Sequence, residues 1–280
     1  MARRIAVCFF GITRSLSHTL PALEAHVIGP ARAAGETRLF AHLFRQQRID
    51  NPRSGEQGVL DPDEYRLLQV EPDALLLEEP GGCLEPRGFD ALKQFGDSWS
   101  DEYRSLRNLV HQLHSLDRVT DAALAWGADV VLFARPDLRY HDSLAGPIRL
   151  AVKAGPPLVQ LPRWQPHGGM NDRFAVCRGP EAIAAYGKRI HAAADFCRES
   201  GEPLNGEKLV QFVLARAGIE VRSFAMRASR VRADGSQRYE EFARPEVAAL
   251  KATWRPRLTA LADRLGLRDA GRAVQRKVRP

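Results

Sequence analysis

The chain has no run of about eighteen apolar residues, so nothing in it reads as a membrane-spanning helix. It lacks G-x-G-x-x-G and G-x-x-x-x-G-K-[ST], which disfavours a dinucleotide fold and a P-loop, and it has no G-x-S-x-G, H-E-x-x-H or protein-kinase signature set. Cysteine is scarce: Cys8, Cys83, Cys177 and Cys197 are far apart, with no C-x-x-C pair and no adjoining histidine array. That spacing favours free thiols in a reducing compartment over disulfides or a zinc site. No repeat of about 20 to 50 residues is visible, which excludes a solenoid. Met1-Ala2-Arg3-Arg4 leads straight into a strand-like run, with no cleavage site, so the expectation is a cytoplasmic protein.

What is present suffices for a packed α/β core: 280 residues, 44% of them apolar. The net charge of +7 is concentrated at one end. From Lys251 to Pro280, nine basic residues face only Asp263 and Asp269, so the first 250 residues are nearly neutral. A neutral body with no zinc-finger, RNA-recognition or helix-turn-helix signature argues against nucleic-acid binding. The basic tail reads as a solvated C-terminus, or as a peripheral contact with an anionic membrane such as the inner membrane. The expected organisation is one domain over residues 1–245, then a C-terminal helix, Pro245 to Leu265, and tail over 246–280.

The organising stretch runs from Ala128 to Tyr140. Val130-Val131-Leu132-Phe133-Ala134 is a continuously apolar run of strand formers, the pattern of a strand buried on both faces of a parallel sheet. It stops at Arg135-Pro136-Asp137-Leu138-Arg139, where Pro136 fixes its own φ and pushes Arg135 out of the helical region. Ligands of open α/β sheets bind outside the carboxyl ends of the strands, so Arg135, Asp137 and Arg139 stand where chemistry would be. The alternative is a plain strand end in which Asp137 caps the following turn.

Two further polar corners adjoin strands. Arg4 to Phe10 reads as the first strand, followed by Gly11-Ile12-Thr13-Arg14-Ser15 and a helix capped by Ser15 or Ser17. A strand, a glycine turn and a helix N-terminus can present N–H groups to an anion, and Arg14 adds a guanidinium fork. Further on, Gly168-Gly169-Met170-Asn171-Asp172-Arg173 directly precedes an apolar strand and describes a loop whose backbone approaches a ligand closely. Asp172-Arg173 is also readable as a buried ion pair. Trp164 and His167 either stack on a sugar or base, or pack under that loop.

Between the corners, Thr37 to Phe44 and Asp73 to Leu77 read as strands, and Arg45 to Leu60, which has no apolar period, as a mobile surface loop. Asp101 to Trp126 carries apolar residues at threes and fours, the period of a long amphipathic helix leading into the organising strand, with His111 and His114 on its surface. Pro157 to Pro162 and Ile219 to Phe224 read as strands. Pro180 to Glu199 and Leu204 to Ala217 read as helices, the second capped by Asn205, and Asp234-Gly235 as a hairpin turn. The fold class predicted is α/β, a mostly parallel central sheet flanked by helices, with the three corners converging on one cleft.

Phe-Phe-Gly-Ile-Thr-Arg-Ser-Leu after the first strand, Phe-Ala-Arg-Pro-Asp-Leu after the central one and Gly-Gly-Met-Asn-Asp-Arg-Phe-Ala further on resemble bacterial glycosyltransferase-like proteins of the GT-A type, over about residues 4 to 235. The resemblance implies a three-layer α/β/α fold and transfer of a sugar from a nucleotide-diphosphate donor to a glycan or lipid-linked acceptor, in cell-envelope polysaccharide synthesis. It implies a donor site at Gly11, Thr13, Arg14, Arg135, Asp137, Asn171 and Arg173. A divalent cation, Mn2+ or Mg2+, would sit on Asp137, although Arg135 takes the place of the first acid of the usual Asp-x-Asp. An inverting transfer needs a carboxylate to accept the acceptor proton, with Asp172 the first candidate and Glu207 the second. Two other classes stay open: a nucleotidyltransferase on a similar sheet, and a catalytically silent binding or scaffold protein that keeps the cleft.

Overall fold

The computed structural model describes residues 3–51, 56–155 and 157–243. The chain divides into two compact units, residues 1–240 and 241–280. Of the second, only residues 241–243 are described, and the expected C-terminal helix and basic tail lie outside the described residues.

The first unit is a mixed α/β structure around a seven-stranded, mostly parallel sheet. Its strands, in chain order, are β1 (Arg4–Gly11), β2 (Glu36–Phe44), β5 (Leu75–Glu78), β6 (Val130–Ala134), β8 (Leu158–Pro162), β9 (Ala175–Arg178) and β10 (Glu220–Phe224). In space they run β10-β8-β9-β6-β1-β2-β5. β9 alone among them is antiparallel to its neighbours, β6 and β8. That reversal sets the position of the site. β6 ends where β9 begins, Phe133 pairing with Ala175, so the loop ahead of β9 comes up at the same sheet edge as the carboxyl ends of β1, β2 and β6.

β1 and β6 are apolar along their length because helices cover both faces. On one face, Ala6, Cys8 and Phe10 join a core with α4 (Arg104–Ala125), which buries Leu106, Val110, Leu113, Leu116, Val119 and Ala123 along one stripe. On the other, α1 (Leu16–Leu23), a π-helical turn (Glu24–Ile28) and α2 (Gly29–Ala34) form a continuous helical segment, and α5 (Ala145–Lys153) packs beside α2. α8 (Gly206–Arg216) opens with the expected cap, Asn205 Oδ1 accepting from Lys208 N–H at 2.9 Å.

Four expectations are corrected. Residues 45–60 are not a featureless loop: β3 (Arg48–Asn51) and β4 (Glu56–Val59) pair as an antiparallel hairpin whose inward residues include one apolar side chain, Ile49, and one acid, Glu56, a pattern with no hydrophobic alternation. The helix expected over Pro180 to Glu199 breaks into α6 (Pro180–Gly187), a 3-10 turn (Arg189–Ala192) and α7 (Ala193–Ser200). The break falls at Gly187, where a Cβ would stand 2.1 Å from Thr120 Oγ1 of α4. Ser15 stands at the N-cap position of α1, but neither it nor Ser17 caps the helix with its side chain. Ser15 Oγ donates to Val231 O, and the Glu64 carboxylate takes Ser17 N–H at 2.9 Å, so the anion at this helix end is one of the chain's own. The strand expected from Asp73 begins at Leu75, after a 3-10 turn over Pro72–Ala74. A second small sheet joins β7 (Leu138–Tyr140) to β11 (Ala228–Arg230), and the Asp234-Gly235 turn follows, with Arg232 N–H bonded to Ser236 O.

Candidate functional site: an arginine-lined cleft

The three polar corners line one cavity of about 760 Å3 at the carboxyl edge of the sheet. Gly11 ends β1 with φ 101°, a value that favours glycine, and its N–H donates to Ser115 Oγ of α4 at 2.8 Å. Arg14 follows at the entrance to α1. Thr13 is buried beside it at 7% exposure.

The corner after β6 is an arginine clamp. Asp137 is 2% exposed, and both its oxygens are occupied: Oδ1 accepts from Arg135 Nε at 2.9 Å, and Oδ2 from Arg135 Nη2 at 2.8 Å and Arg14 Nη2 at 2.7 Å. Burial opposes ionisation of Asp137, but the two guanidiniums outweigh it and hold the carboxyl well below the usual carboxylate range. Arg14 extends the network to Glu56 of the hairpin at 2.7 Å, and Glu56 Oε1 in turn accepts Ala233 N–H. The hairpin thus carries a site residue, Glu56, that no sequence pattern singled out. The sequence expectation of a cation on Asp137 does not fit this geometry, because its acceptor sites face two positive charges.

The loop ahead of β9 forms the opposite wall. Gly169 is docked against the start of α8, where a Cβ would meet Glu207 O at 2.2 Å, and Met170 N–H bonds that same carbonyl at 2.9 Å. Gln165 and His167 hold positive φ (46° and 45°) beside Gly168 (83°), so strained backbone gathers where the loop borders the cavity. Asn171, expected among the ligand-binding residues, is 1% exposed and fully engaged in holding the loop: its Nδ2 donates to Trp164 O and its Oδ1 accepts Arg173 N–H. Trp164 is fully buried, with Nε1–H on Met226 O, which decides for packing over stacking. Asp172 and Arg173 do not pair with each other.

Arg173 lies 4.9 Å over the Trp164 ring, donates to Gln165 Oε1, and stands 3.6 Å from Glu240, which Arg230 also holds at 2.9 Å. Its Nη1 is buried and has no hydrogen-bond partner among the described residues. Burial lowers its pKa from the ordinary arginine value, with Arg230 and Arg135 adding repulsion against the pull of Glu240. On this wall Arg173 and Arg230 share Glu240, with Asp172 close by, and at the clamp two arginines likewise meet two acids.

Asp172 joins the walls. Its Oδ2 accepts from Gln112 Nε2 at 3.3 Å, and Gln112 Oε1 accepts from Arg135 Nη1 at 3.0 Å. Arg189, fully buried, approaches the same oxygen at 3.8 Å. Oδ1 makes no hydrogen bond among the described residues. Gly206 closes on this carboxylate so tightly that a Cβ would stand 2.7 Å from Oδ2. Glu207, in the first turn of α8, lines the cavity as well. Arg139, the third charged residue of the organising corner, points away, with Nη2 donating to His18 O.

A second cluster stands apart from the cavity lining. His42 of β2, Glu78 of β5 and His114 of α4 bring one ligand atom each to within 4.8 Å of one another and could hold a metal ion. His114 is 8% exposed and is not the surface residue the helix pattern suggested.

No family model matches the chain. No curated protein does either. Solved structures do, and among them is the apo form of mouse xyloside xylosyltransferase 1, at a TM-score of 0.43 and 10% identity, with 79% of this chain and 85% of that one covered. Among the described residues, no helix is long and apolar enough to cross a membrane.

Proposed function

We propose that this chain is a glycosyltransferase that moves a sugar from a nucleotide-diphosphate donor to a hydroxyl of a glycan or lipid-linked acceptor. The observation carrying this reading is the placement of the Asp172 carboxylate between two guanidiniums, Arg173 beside it and Arg135 linked to it through Gln112, inside a cavity large enough for a nucleotide sugar. Breaking the glycosidic bond to a diphosphate develops negative charge on the leaving group, and fixed guanidiniums stabilise it without reorganising. Arg173 Nη1 has a buried donor to offer. Arg135 is already oriented by Asp137, so it would meet a phosphate in one geometry.

Asp172 Oδ1 is the acceptor for the hydroxyl proton of the incoming sugar, while Gln112 and Arg189 hold Oδ2. Because Gln112 also binds Arg135, the base and the phosphate corner are coupled by hydrogen bonds on opposite ends of one amide. Glu207 is the second candidate for that role. The protein works in the cytoplasm, and its basic tail is the segment for contact with an anionic membrane.

The test is to incubate the chain with UDP-, GDP-, CDP- and TDP-sugars and quantify the nucleoside diphosphate released. Release from one class, lost in Asp172→Asn while the same diphosphate still binds, supports the reading. Tight binding with no release, with or without acceptor glycans, would instead favour a silent nucleotide-binding protein, which the full neutralisation of Asp137 also suits. Release of pyrophosphate from a sugar phosphate and a nucleoside triphosphate would make it a nucleotidyltransferase.

A further inference from the structure

His42 is fully buried in β2, yet its two ring nitrogens have opposite fates. Nδ1 lies 3.0 Å from Ser115 Oγ, whose own proton goes to His42 O at 2.6 Å. Ser115 Oγ is therefore an acceptor toward the ring, Nδ1 carries the hydrogen, and the lone pair of the neutral ring is on Nε2. That Nε2 is buried and, among the described residues, makes no hydrogen bond of good geometry, its one close polar neighbour being Glu78 Oε1 at 3.1 Å. Two acceptors this close repel unless a positive species, a proton or a metal ion, stands between them. A ring whose Nδ1–H is fixed by an acceptor while Nε2 presents its lone pair is the arrangement in which histidine binds metal.

His114 Nε2 stands on the other carboxylate oxygen, 2.9 Å from Glu78 Oε2. We infer that His42 Nε2, Glu78 and His114 Nε2 form a binding site for a divalent zinc-like cation that clips the edge strand β5 and its neighbour β2 to α4. Two imidazoles and a carboxylate suit Zn2+, with one position left for water, and suit Mn2+ or Mg2+ poorly. Glu78 is one-third exposed, which gives an ion a path in. Two arginines set the cost. Arg87 Nε–H donates to His114 Nδ1 at 2.9 Å, which places the metal-free His114 proton on Nε2, and Arg118 approaches Glu78 at 3.5 Å. Binding must shift the His114 proton from Nε2 to Nδ1, so Arg87 Nε–H, which now faces a donor, turns aside, where Asp117 already holds its other end. The site reaches the cleft through Ser115, which accepts the N–H of Gly11 as well as that of His42, so an ion there would stiffen the turn that carries Arg14. The inference does not depend on the proposed transfer reaction.

The full chain, stripped with a chelator and dialysed, is titrated with Zn2+ by calorimetry, and the loaded protein is examined by zinc K-edge X-ray absorption. One ion per chain is expected, with a nitrogen and oxygen shell near 2.0 Å and no sulfur. Ser115→Ala, which removes the acceptor for His42 Nδ1–H, should weaken binding by roughly tenfold or more. Arg87→Met should tighten it, because the donor opposing His114 is gone. Millimolar Mg2+ should not compete. The wild-type measurements stand even if His42→Ala fails to fold. No bound zinc in the wild type overturns the site. A sulfur shell would place the ion on one of the buried cysteines and overturn it equally.

Discussion

Replacing Asp137 by asparagine separates an arginine clamp from a cation holder. The amide keeps the shape and one acceptor but removes the charge that faces Arg135 and Arg14, whose side chains are 22% and 10% exposed. Breaking a buried ion pair from one side costs about 3–5 kcal/mol, because the remaining charge is left without compensation. Arg14 retains Glu56, so the lower end, about 3 kcal/mol, is expected. At about 2–4 °C per kcal/mol for a domain of this size, the melting temperature should fall by roughly 6–12 °C. The pH dependence has a definite sign. The folded carboxyl is held below its ordinary value, so its stabilisation is fully present above the unfolded value of about 3.9 and is lost as pH falls toward the folded one. The gap between wild type and Asp137→Asn should be flat from about pH 6 to 8 and close in acid. The assay is thermal unfolding of both proteins from about pH 3 to 8, in EDTA and again with manganese. A fall of less than about 2 °C, or a fall seen only after manganese is added, would refute the clamp.

Three other substitutions or probes bear on the same architecture. Gly169→Ala drives a Cβ into the Glu207 carbonyl, which cannot swing away like a side chain, and should destabilise by about 1–3 kcal/mol and weaken donor binding, read by urea unfolding and calorimetry. Asp172→Asn should abolish transfer, measured as glycoside formed, with the affinity for nucleoside diphosphate unchanged. Burial raises the thiol pKa of all four cysteines, that of Cys197 to about 11, so a disulfide reagent at pH 8 should label none of them rapidly in the native protein and all four in denaturant.

The parts of the fold that were legible in the sequence are those where one period dominates. β1 and β6 carry continuous apolar runs because helices cover both faces of the sheet, α4 carries a regular apolar stripe because one of its faces packs on that sheet, and the convergence of the three corners follows from strand ends on one sheet edge. What was not legible depends on long-range partners. The β3–β4 hairpin is held by Glu56 reaching Arg14 and Ala233, contacts that leave no alternation in residues 45–60. Asp137 reads as a free acid in Arg-Pro-Asp, and only the fold shows Arg14 arriving on it from the other corner. The cluster of His42, Glu78 and His114 combines residues from three elements. A signal for it existed: His42 sits in period-2 register with Phe40 and Phe44, which are buried, so a histidine there had to be satisfied inside.

The most direct measurement of the central proposal is a thermal-shift titration of the full chain with UDP, GDP, CDP and TDP, each in EDTA and in manganese, for wild type and Arg173→Met. One diphosphate should stabilise the wild type by about 2.7 kcal/mol at 100 times its dissociation constant, in EDTA as well as in manganese, and the shift should shrink in the variant. If none of the four moves the melting curve, the cleft is not a nucleotide-diphosphate site and the transferase proposal falls.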